Sequence, residues 1–181
     1  MGSGTGRVAW RGNGVKFVLV DRISEFEPGQ RIVAHKALSL AEEYLADHFP
    51  TFPVLPGVLM LEALVQASAW VVREKLDFAV GVVLLKEARN VTYKSFVAPG
   101  EVLTVESVCQ ELTPQYSVFN ASGSVAGRPT VKGRLTLRHL RLAEEVDPAL
   151  ADVERRLRTE QRAWFERLRR SGATRAAVSA G

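Results

Sequence analysis

The segment of residues 48–62 constrains this chain most, because a rigid loop there runs directly into an apolar helix. Its first nine residues include three prolines. Each proline fixes φ and removes a backbone donor, so neither a helix nor a central strand can pass through this loop. Gly57 follows and allows close approach of another group where the helix begins. The pattern predicts a helix from Gly57 to about Leu76.

The predicted helix is apolar on nearly every face, which is typical of a helix that is buried all round. Its polar residues Glu62 and Gln66 lie one turn apart on the same side. A buried carboxylate is costly unless it is paired, protonated or used in chemistry. Glu62 could therefore be a structural partner of Gln66, or a catalytic group. The nearby His48 and the helix N-terminus favour the catalytic interpretation.

Five short features of residues 48–66 form a pattern. Residues 48–50 are His-Phe-Pro, residues 56–59 are Pro-Gly-Val-Leu, and Glu62, Ala63 and Gln66 follow. The pattern resembles the signature of the FabZ-type 3-hydroxyacyl-[acyl-carrier-protein] dehydratases. This central motif is far more specific than a lone Gly-x-Gly.

The resemblance covers roughly residues 15–140. Residues 19–29 are similar to the opening strand and turn of that family, and residues 93–101 resemble its later Phe-Lys…Val-x-Pro-Gly-Asp element. The resemblance implies a hotdog fold, in which a curved antiparallel sheet wraps around a long central apolar helix.

The pattern of strands and turns independently predicts the α+β class, because runs of strands joined by tight turns surround one apolar helix. Proline and glycine mark most of the breaks between these strands. A short helix is predicted at residues 40–47. The predicted strands are residues 15–23, 31–40, 80–93, 101–112, 115–126 and 130–142.

We predict four regions along the chain. They are a flexible N-terminal lead (1–14), a hotdog dehydratase domain (15–142), a C-terminal helical extension (143–171) and a disordered tail (172–181). The extension is amphipathic, with one apolar stripe. Dehydratases of this type usually end near the last strand, so the helix is an addition. It either packs on its own domain or a neighbouring protomer, which we favour, or docks a carrier. The stripe consists of Leu150, Val153, Leu157, Trp164 and Leu168.

Charge and composition restrict the possible partners and compartments. The whole net charge of +4 comes from the part of the chain after residue 133. Such a basic end can meet an acidic partner, although a solvated helix face is the commoner explanation. The apolar stripe accounts for the aromatic residues near it, so no nucleic acid is expected. No stretch is apolar enough to span a bilayer. A single cysteine and no secretory signal at the start predict a cytoplasmic protein.

The resemblance implies dehydration of (3R)-3-hydroxyacyl thioesters to trans-2-enoyl thioesters. This reaction needs a base for the C2 proton, an acid for the leaving hydroxyl and a donor for the thioester oxygen. Imidazole titrates near neutral pH, so His48 is suited to be the base. Burial favours the uncharged form of Glu62, which suits the acid, and the Gly57 amide is suited to the thioester oxygen.

Four further residues are predicted to contact the substrate: Phe49, Pro56, Val58 and Gln66. Gln66 is also expected to orient Glu62 or a water molecule. The reaction needs no metal or organic cofactor, and three scattered histidines with one cysteine do not have the spacing of metal ligands.

The resemblance also implies the partners of the protein. The substrate is expected on acyl-carrier protein. In this family a homodimer pairs the histidine of one protomer with the acid of the other, and dimers often form hexamers. A glutamate at position 62 favours simple dehydration over the dehydration and isomerisation of related enzymes, which usually carry aspartate there.

Several positions depart from the family pattern. Asp47 replaces the usual glycine and would stabilise a charged imidazolium at His48, which weakens it as a base. Lys86 and Glu87 replace small or apolar residues, and Ser95 replaces a frequent basic residue of the carrier-docking surface. Alternatives therefore stay open: an enoyl-CoA hydratase, a hotdog thioesterase, or a non-catalytic subunit that binds acyl thioesters.

Overall fold

A six-stranded antiparallel sheet packs against one long helix. A computed structural model describes residues 17–47 and 52–179, with the side chains of all of these except residues 46, 47 and 172–179. The strand order is β1-β2-β4-β5-β6-β3, and every neighbouring pair is antiparallel. The strands are β1 (Arg22–Glu27), β2 (Arg31–Ala37), β3 (Val82–Tyr93), β4 (Val102–Leu112), β5 (Tyr116–Val125) and β6 (Arg128–Leu140).

The helices occupy the places that the proline, glycine and apolar patterns predict. They are α1 (Tyr44–Asp47), α2 (Gly57–Lys75), α3 (Leu142–Glu145) and α4 (Ala151–Ser179), with a 3₁₀ turn at Pro148–Leu150 before α4. Helix α2 lies across the sheet and contacts five of its strands. The predicted α+β hotdog architecture around a central helix is confirmed.

The core lies between α2 and the sheet. The sheet supplies Leu103, Phe119 and Leu135, each with no exposed surface. One polar contact crosses this apolar layer: the Ser68 hydroxyl donates to the Leu64 carbonyl oxygen at 2.8 Å and lies 2.7 Å from the Ser107 hydroxyl of β4. A buried pair of hydroxyls in hydrogen-bonding contact fixes the rotation of α2 about its own axis more sharply than apolar packing alone.

The first strand lies later in the chain than the sequence predicted. We expected a strand at residues 15–23, but β1 begins at Arg22 and residues 17–20 belong to no strand. Leu19 and Val20 are nevertheless buried, since they pack into the core as a non-strand segment. Apolar character alone could not distinguish these two arrangements.

The last two strands are joined more tightly than expected. The sequence predicted a break at residues 127–129, whereas the turn needs only Ala126 and Gly127, both with positive φ. Pro129 falls within β6, at a point where its register with β5 shifts. A register irregularity is one of the few places where a strand tolerates proline.

Helix α4 packs on the domain of its own chain. Phe165 is buried, and its ring meets that of Phe26 in β1 at a centroid distance of 4.9 Å. The Arg162 guanidinium also donates to the Asp77 carboxylate at 2.5 Å. The predicted apolar stripe is partly wrong, because Val153 is 45 % exposed whereas Phe165, which it omitted, is in the core. Helical spacing alone does not determine which side of α4 faces the domain.

Helix α4 continues to Ser179, through most of the segment for which the sequence predicted disorder. That segment contains several alanines, which are the best helix formers. The division of the chain into four regions stays a prediction. The predicted N-terminal lead lies outside the described residues.

Within residues 17–47 and 52–179, no helix is long and apolar enough to cross a membrane. The same residues contain no group of three or more His, Cys, Asp and Glu side chains that could hold a metal ion.

His139 of β6 is buried with both ring nitrogens in hydrogen-bonding contact. Its Nδ1 lies 3.3 Å from the Pro114 carbonyl oxygen, which can only accept, so Nδ1 carries the proton. Its Nε2 then accepts from the Ser117 hydroxyl at 2.9 Å. Burial lowers the pKa of His139 below its ordinary value of 6.5.

This environment predicts a loss of stability at mildly acidic pH. Above about pH 6.5 both the folded and the unfolded chain hold a neutral His139, but below it only the unfolded chain takes up the proton. The Tm of the wild type should therefore fall as the pH decreases from about 7.5 to about 5.5. His139→Gln should show a shallower fall in thermal denaturation scans. Lys132→Gln, an exposed change on the same strand, should keep the wild-type slope, and equal slopes for all three proteins would contradict the prediction.

Candidate active site

The N-terminus of α2 is held against the sheet by the loop before it and by a tyrosine. The amide of Leu55 donates to the Val97 carbonyl oxygen at 2.9 Å, which anchors the proline-rich loop. A Cβ added to Gly57 would lie 3.1 Å from the Tyr93 ring, so glycine permits this close packing. The amides of Leu59 and Met60 both donate to the Pro56 carbonyl oxygen. The amide of Gly57 lies before these two amides in the helix and has no acceptor within it, as is usual in the first turn.

Glu62 is partly buried and is oriented by Gln66, one turn later on α2. The Gln66 Nε2 donates to Glu62 Oε1 at 2.9 Å and to the Phe17 carbonyl oxygen at 3.1 Å. The Gln66 Oε1 accepts from the Leu19 amide at 2.8 Å. These fixed backbone partners determine the orientation of the Gln66 amide, and with it the position of one Glu62 oxygen. Among the described residues, none donates a hydrogen bond to the other oxygen, Oε2.

Helix α2 is not buried all round, contrary to the prediction from its composition. Val58 in its first turn is 69 % exposed, and Glu62 and Gln66 are half-buried on the same face. The sheet covers the other faces of the helix, whereas this one faces the segment before β1 and a cavity. The polar pair therefore lies at the accessible edge of an apolar helix, where a substrate can reach it.

The cavity beside Glu62 has a volume of about 320 Å³. Its near end is formed by backbone and side chains around the Glu62–Gln66 pair, and it continues along α2 beneath α4. The described residues that line the near end are Phe17, Val18, Glu62, Val65 and Gln66.

The structure brings together only part of the predicted site. Pro56 is the N-cap of α2 and Gly57 and Val58 lie in its first turn, about one turn before Glu62. Gln66 lies one turn after Glu62. His48 and Phe49, the predicted base and one predicted substrate contact, lie outside the described residues. The side chain of Asp47 also lies outside them.

Three of the positions that depart from the family pattern lie on the sheet or directly after one of its strands. Lys86 and Glu87 are exposed on β3. The Ser95 hydroxyl donates to the Pro129 carbonyl oxygen at 3.0 Å, so it links the end of β3 to β6.

Sequence analysis missed the backbone groups of Phe17 and Leu19, and the ring of Tyr93. The two backbone groups hold Gln66, and the ring packs on Gly57. No pattern in the sequence signals the first two, because any residue carries a backbone amide and carbonyl. Tyr93 belongs to a stretch that resembles the family, but only the fold places it against Gly57.

Comparison with known proteins identifies the family. A family model described as the FabA-like domain matches residues 13–133. A 3-hydroxyacyl-[acyl-carrier-protein] dehydratase FabZ from Ruminiclostridium cellulolyticum is 36 % identical over 127 residues, covering 66 % of this chain and 84 % of that protein. A protein of the same name from Wolbachia pipientis is 40 % identical over 110 residues, covering 61 % of this chain and 77 % of that one.

Solved structures show similarity in fold. The dehydratase heterocomplex ApeI:P from Xenorhabdus doucetiae gives a TM-score of 0.61 at 20 % identity, covering 73 % of this chain and 89 % of that one. A thioesterase from Haemophilus influenzae gives 0.53 at 18 % identity, covering 68 % and 80 %. Enzymes with different reactions share this architecture, so the fold alone does not select an activity. The family model, which spans most of the chain and includes the turn around Gly57 and Glu62, shows that the chain belongs to the FabA-like family.

Proposed function

We propose that this protein dehydrates (3R)-3-hydroxyacyl thioesters to trans-2-enoyl thioesters and water. The observation that carries the proposal is a partly buried carboxylate, Glu62, held by Gln66 at the mouth of a cavity one turn into α2. Relatives of the chain that are named FabZ dehydratases support the reaction type. Their names also support acyl-carrier protein as the carrier of the substrate.

Each proposed role follows from the position of the group on α2. Glu62 gives its proton to the hydroxyl that leaves C3, and Gln66 keeps the carboxyl group aimed at the cavity. The Gly57 amide, at the positive end of the helix dipole, binds the thioester oxygen as charge develops there. His48 removes the C2 proton. Pro56, Phe49 and Val58 flank the thioester.

We further propose that two protomers share each active site. Strand β3 is an edge of the sheet and runs for 12 residues. Leu84 and Leu85 on it are 47 % and 37 % exposed. A long edge strand with exposed apolar residues is an unfavourable surface for a monomer, and pairing with a second copy would cover it. The partly exposed face of α2 around Val58 would then receive His48 of the other protomer.

The proposed acid predicts the effect of Glu62→Gln. This change keeps the size and the hydrogen bond to Gln66 but cannot deliver the proton, so kcat should fall by roughly 10²–10⁴-fold. The measurement of kcat follows the formation of enoyl thioester from 3-hydroxyacyl thioesters on carrier protein and on coenzyme A. Glu74→Gln, a half-buried position on the same helix away from the cavity, should keep the wild-type rate.

Two results would overturn the proposed reaction. One is an undiminished rate in Glu62→Gln. The other is a folded wild type that binds acyl thioesters but forms no enoyl product on either carrier, which would indicate a non-catalytic acyl-binding protein.

The shared site predicts complementation between two inactive chains. His48→Ala and Glu62→Ala homodimers should both be inactive, whereas heterodimers formed by mixing and refolding contain one intact site. Random mixing makes half of the dimers heterodimers, so about a quarter of the wild-type activity should return when each dimer has two sites. The assay needs differently tagged chains so that heterodimers can be counted. Confirmed heterodimers without activity would contradict the shared site.

A further inference from the structure

The cavity beside Glu62 follows α2 for most of its length. Residues 62, 66, 69 and 73 lie on one face of the helix and all line it, so the cavity extends about 16 Å from Glu62 to Arg73 along the helix axis. Most of its middle is apolar, with Val65, Ala69 and Trp70 among its walls. Helix α4 closes it over the last part. An apolar groove that starts at the proposed acid fits the acyl chain of the substrate.

The far end of this groove is polar. Arg73 Nε and Gln161 Oε1 are both buried, and neither has a hydrogen-bond partner in the part of the chain that the structure describes. Both side chains line the groove. The Gln161 Nε2 donates to the Gly81 carbonyl oxygen at 3.2 Å, which leaves Oε1 as an acceptor facing away from that contact. One buried donor and one buried acceptor therefore belong to side chains that line the far part of the groove, beyond its apolar middle.

Among the described residues, no carboxylate forms an ion pair with Arg73, although Glu160 also lines the groove. Burial lowers the pKa of Arg73 to about 10, and no nearby charge contributes to the shift. Its guanidinium lies 5.1 Å from the centre of the Trp70 ring, a contact that positions it without satisfying its donors. Residues 1–16 contain no Asp or Glu, so the segment before Phe17 brings no carboxylate side chain. A buried, unpaired guanidinium is costly unless a ligand binds it.

We propose that Arg73 and Gln161 recognise the far end of the acyl chain, and that this end carries oxygen, as a hydroxyl or a carboxylate. A hydroxyl would accept from Arg73 Nε and donate to Gln161 Oε1. A carboxylate would pair with the Arg73 guanidinium. The inference rests on the proposed function, which supplies the acyl thioester, and it identifies Arg73 as a residue that selects the substrate.

Binding of chains that cannot react tests this recognition separately from catalysis. The probes are saturated acyl-pantetheine thioesters of matched length that end in a methyl, a hydroxyl or a carboxylate group. Trp70 and Trp164 line the groove, so tryptophan fluorescence reports binding. We expect the wild type to bind one oxygen-ended probe about tenfold or more tightly than the methyl-ended probe. Equal or tighter binding of the methyl-ended probe would overturn the inference and would indicate that water fills the end of the groove.

Two variants assign the selectivity to its residues. Arg73→Met keeps the length of the side chain but removes the donors, so the preference for an oxygen-ended chain should disappear or reverse. Gln161→Leu should weaken binding of the hydroxyl-ended probe and leave the carboxylate-ended probe unchanged, which distinguishes the two chemistries. Arg156→Met, which removes the same charge from an exposed position on α4, should keep the wild-type preference. A preference that persists in Arg73→Met, with the variant folded by its Tm, would overturn the role of Arg73.

Turnover separates this inference from the proposed function. The 3-hydroxyacyl forms of the same three chains are assayed for enoyl product with wild type and Arg73→Met. We expect kcat/KM of the wild type to follow the order of binding, and Arg73→Met to lose that order. Absence of product from every chain, together with selective binding, would overturn the dehydratase function and keep the chain-end recognition. Enoyl product from all three chains without any selectivity would keep the dehydratase function and overturn the chain-end recognition.

Discussion

The rotation of α2 about its own axis is the constraint on which the rest of this structure depends. Apolar residues of the helix meet the sheet over most of its surface, and the buried contact between the Ser68 and Ser107 hydroxyls selects one rotation among those that apolar packing would allow. That rotation leaves one face without cover from the sheet. Glu62, Gln66 and Arg73 all belong to this face, so the same packing that buries the helix also aligns the proposed acid with the groove. A rotation of α2 by one residue, about 100°, would turn Glu62 away from the cavity and towards the apolar core.

The uncovered face of α2 is completed by two segments that are distant in sequence. The non-strand segment before β1 buries Leu19 and Val20 and lends two backbone groups to Gln66. Helix α4 covers the far end of the same face, and Phe165 and Leu168 fasten it to the core. The groove is therefore enclosed mainly by the segment before β1 and by α4, and the sheet contributes Val83 to its wall. Selectivity can change in such a fold through these segments without altering the core.

The sequence predicted those parts of the fold that proline, glycine and long apolar runs define. The bounds of α2 and of the strands after it agree to within a few residues, because a breaker lies at nearly every junction. The prediction placed β1 too early, since buried residues 19 and 20 have the same apolar character in a strand and in a packed coil. It also omitted Phe165, since helical spacing alone does not say which side of α4 meets the domain. In the site, the pairing of Glu62 with Gln66 could be anticipated from their four-residue spacing. The groove could not, because it is formed by residues more than 80 positions apart in the chain, such as Arg73 and Gln161.

The single rigid helix α2 carries both the proposed acid, Glu62, and Arg73, which we propose binds the end of the acyl chain. Glu62 and Arg73 are separated by about three helical turns, a distance that cannot stretch, because every backbone hydrogen bond of α2 would resist it. The groove therefore selects acyl chains whose length matches the fixed distance between Glu62 and Arg73. A chain that is too short leaves the buried guanidinium unsatisfied, and one that is too long must displace α4. A methyl end of the right length fills the space but leaves the donor and acceptor unpaired, and a site with buried polar groups discriminates most strongly against a ligand that lacks their partners. On these two proposals, the acid and the residue that selects the substrate lie about three turns apart on α2, so a change near Arg73 can alter the substrate without altering the reaction at Glu62.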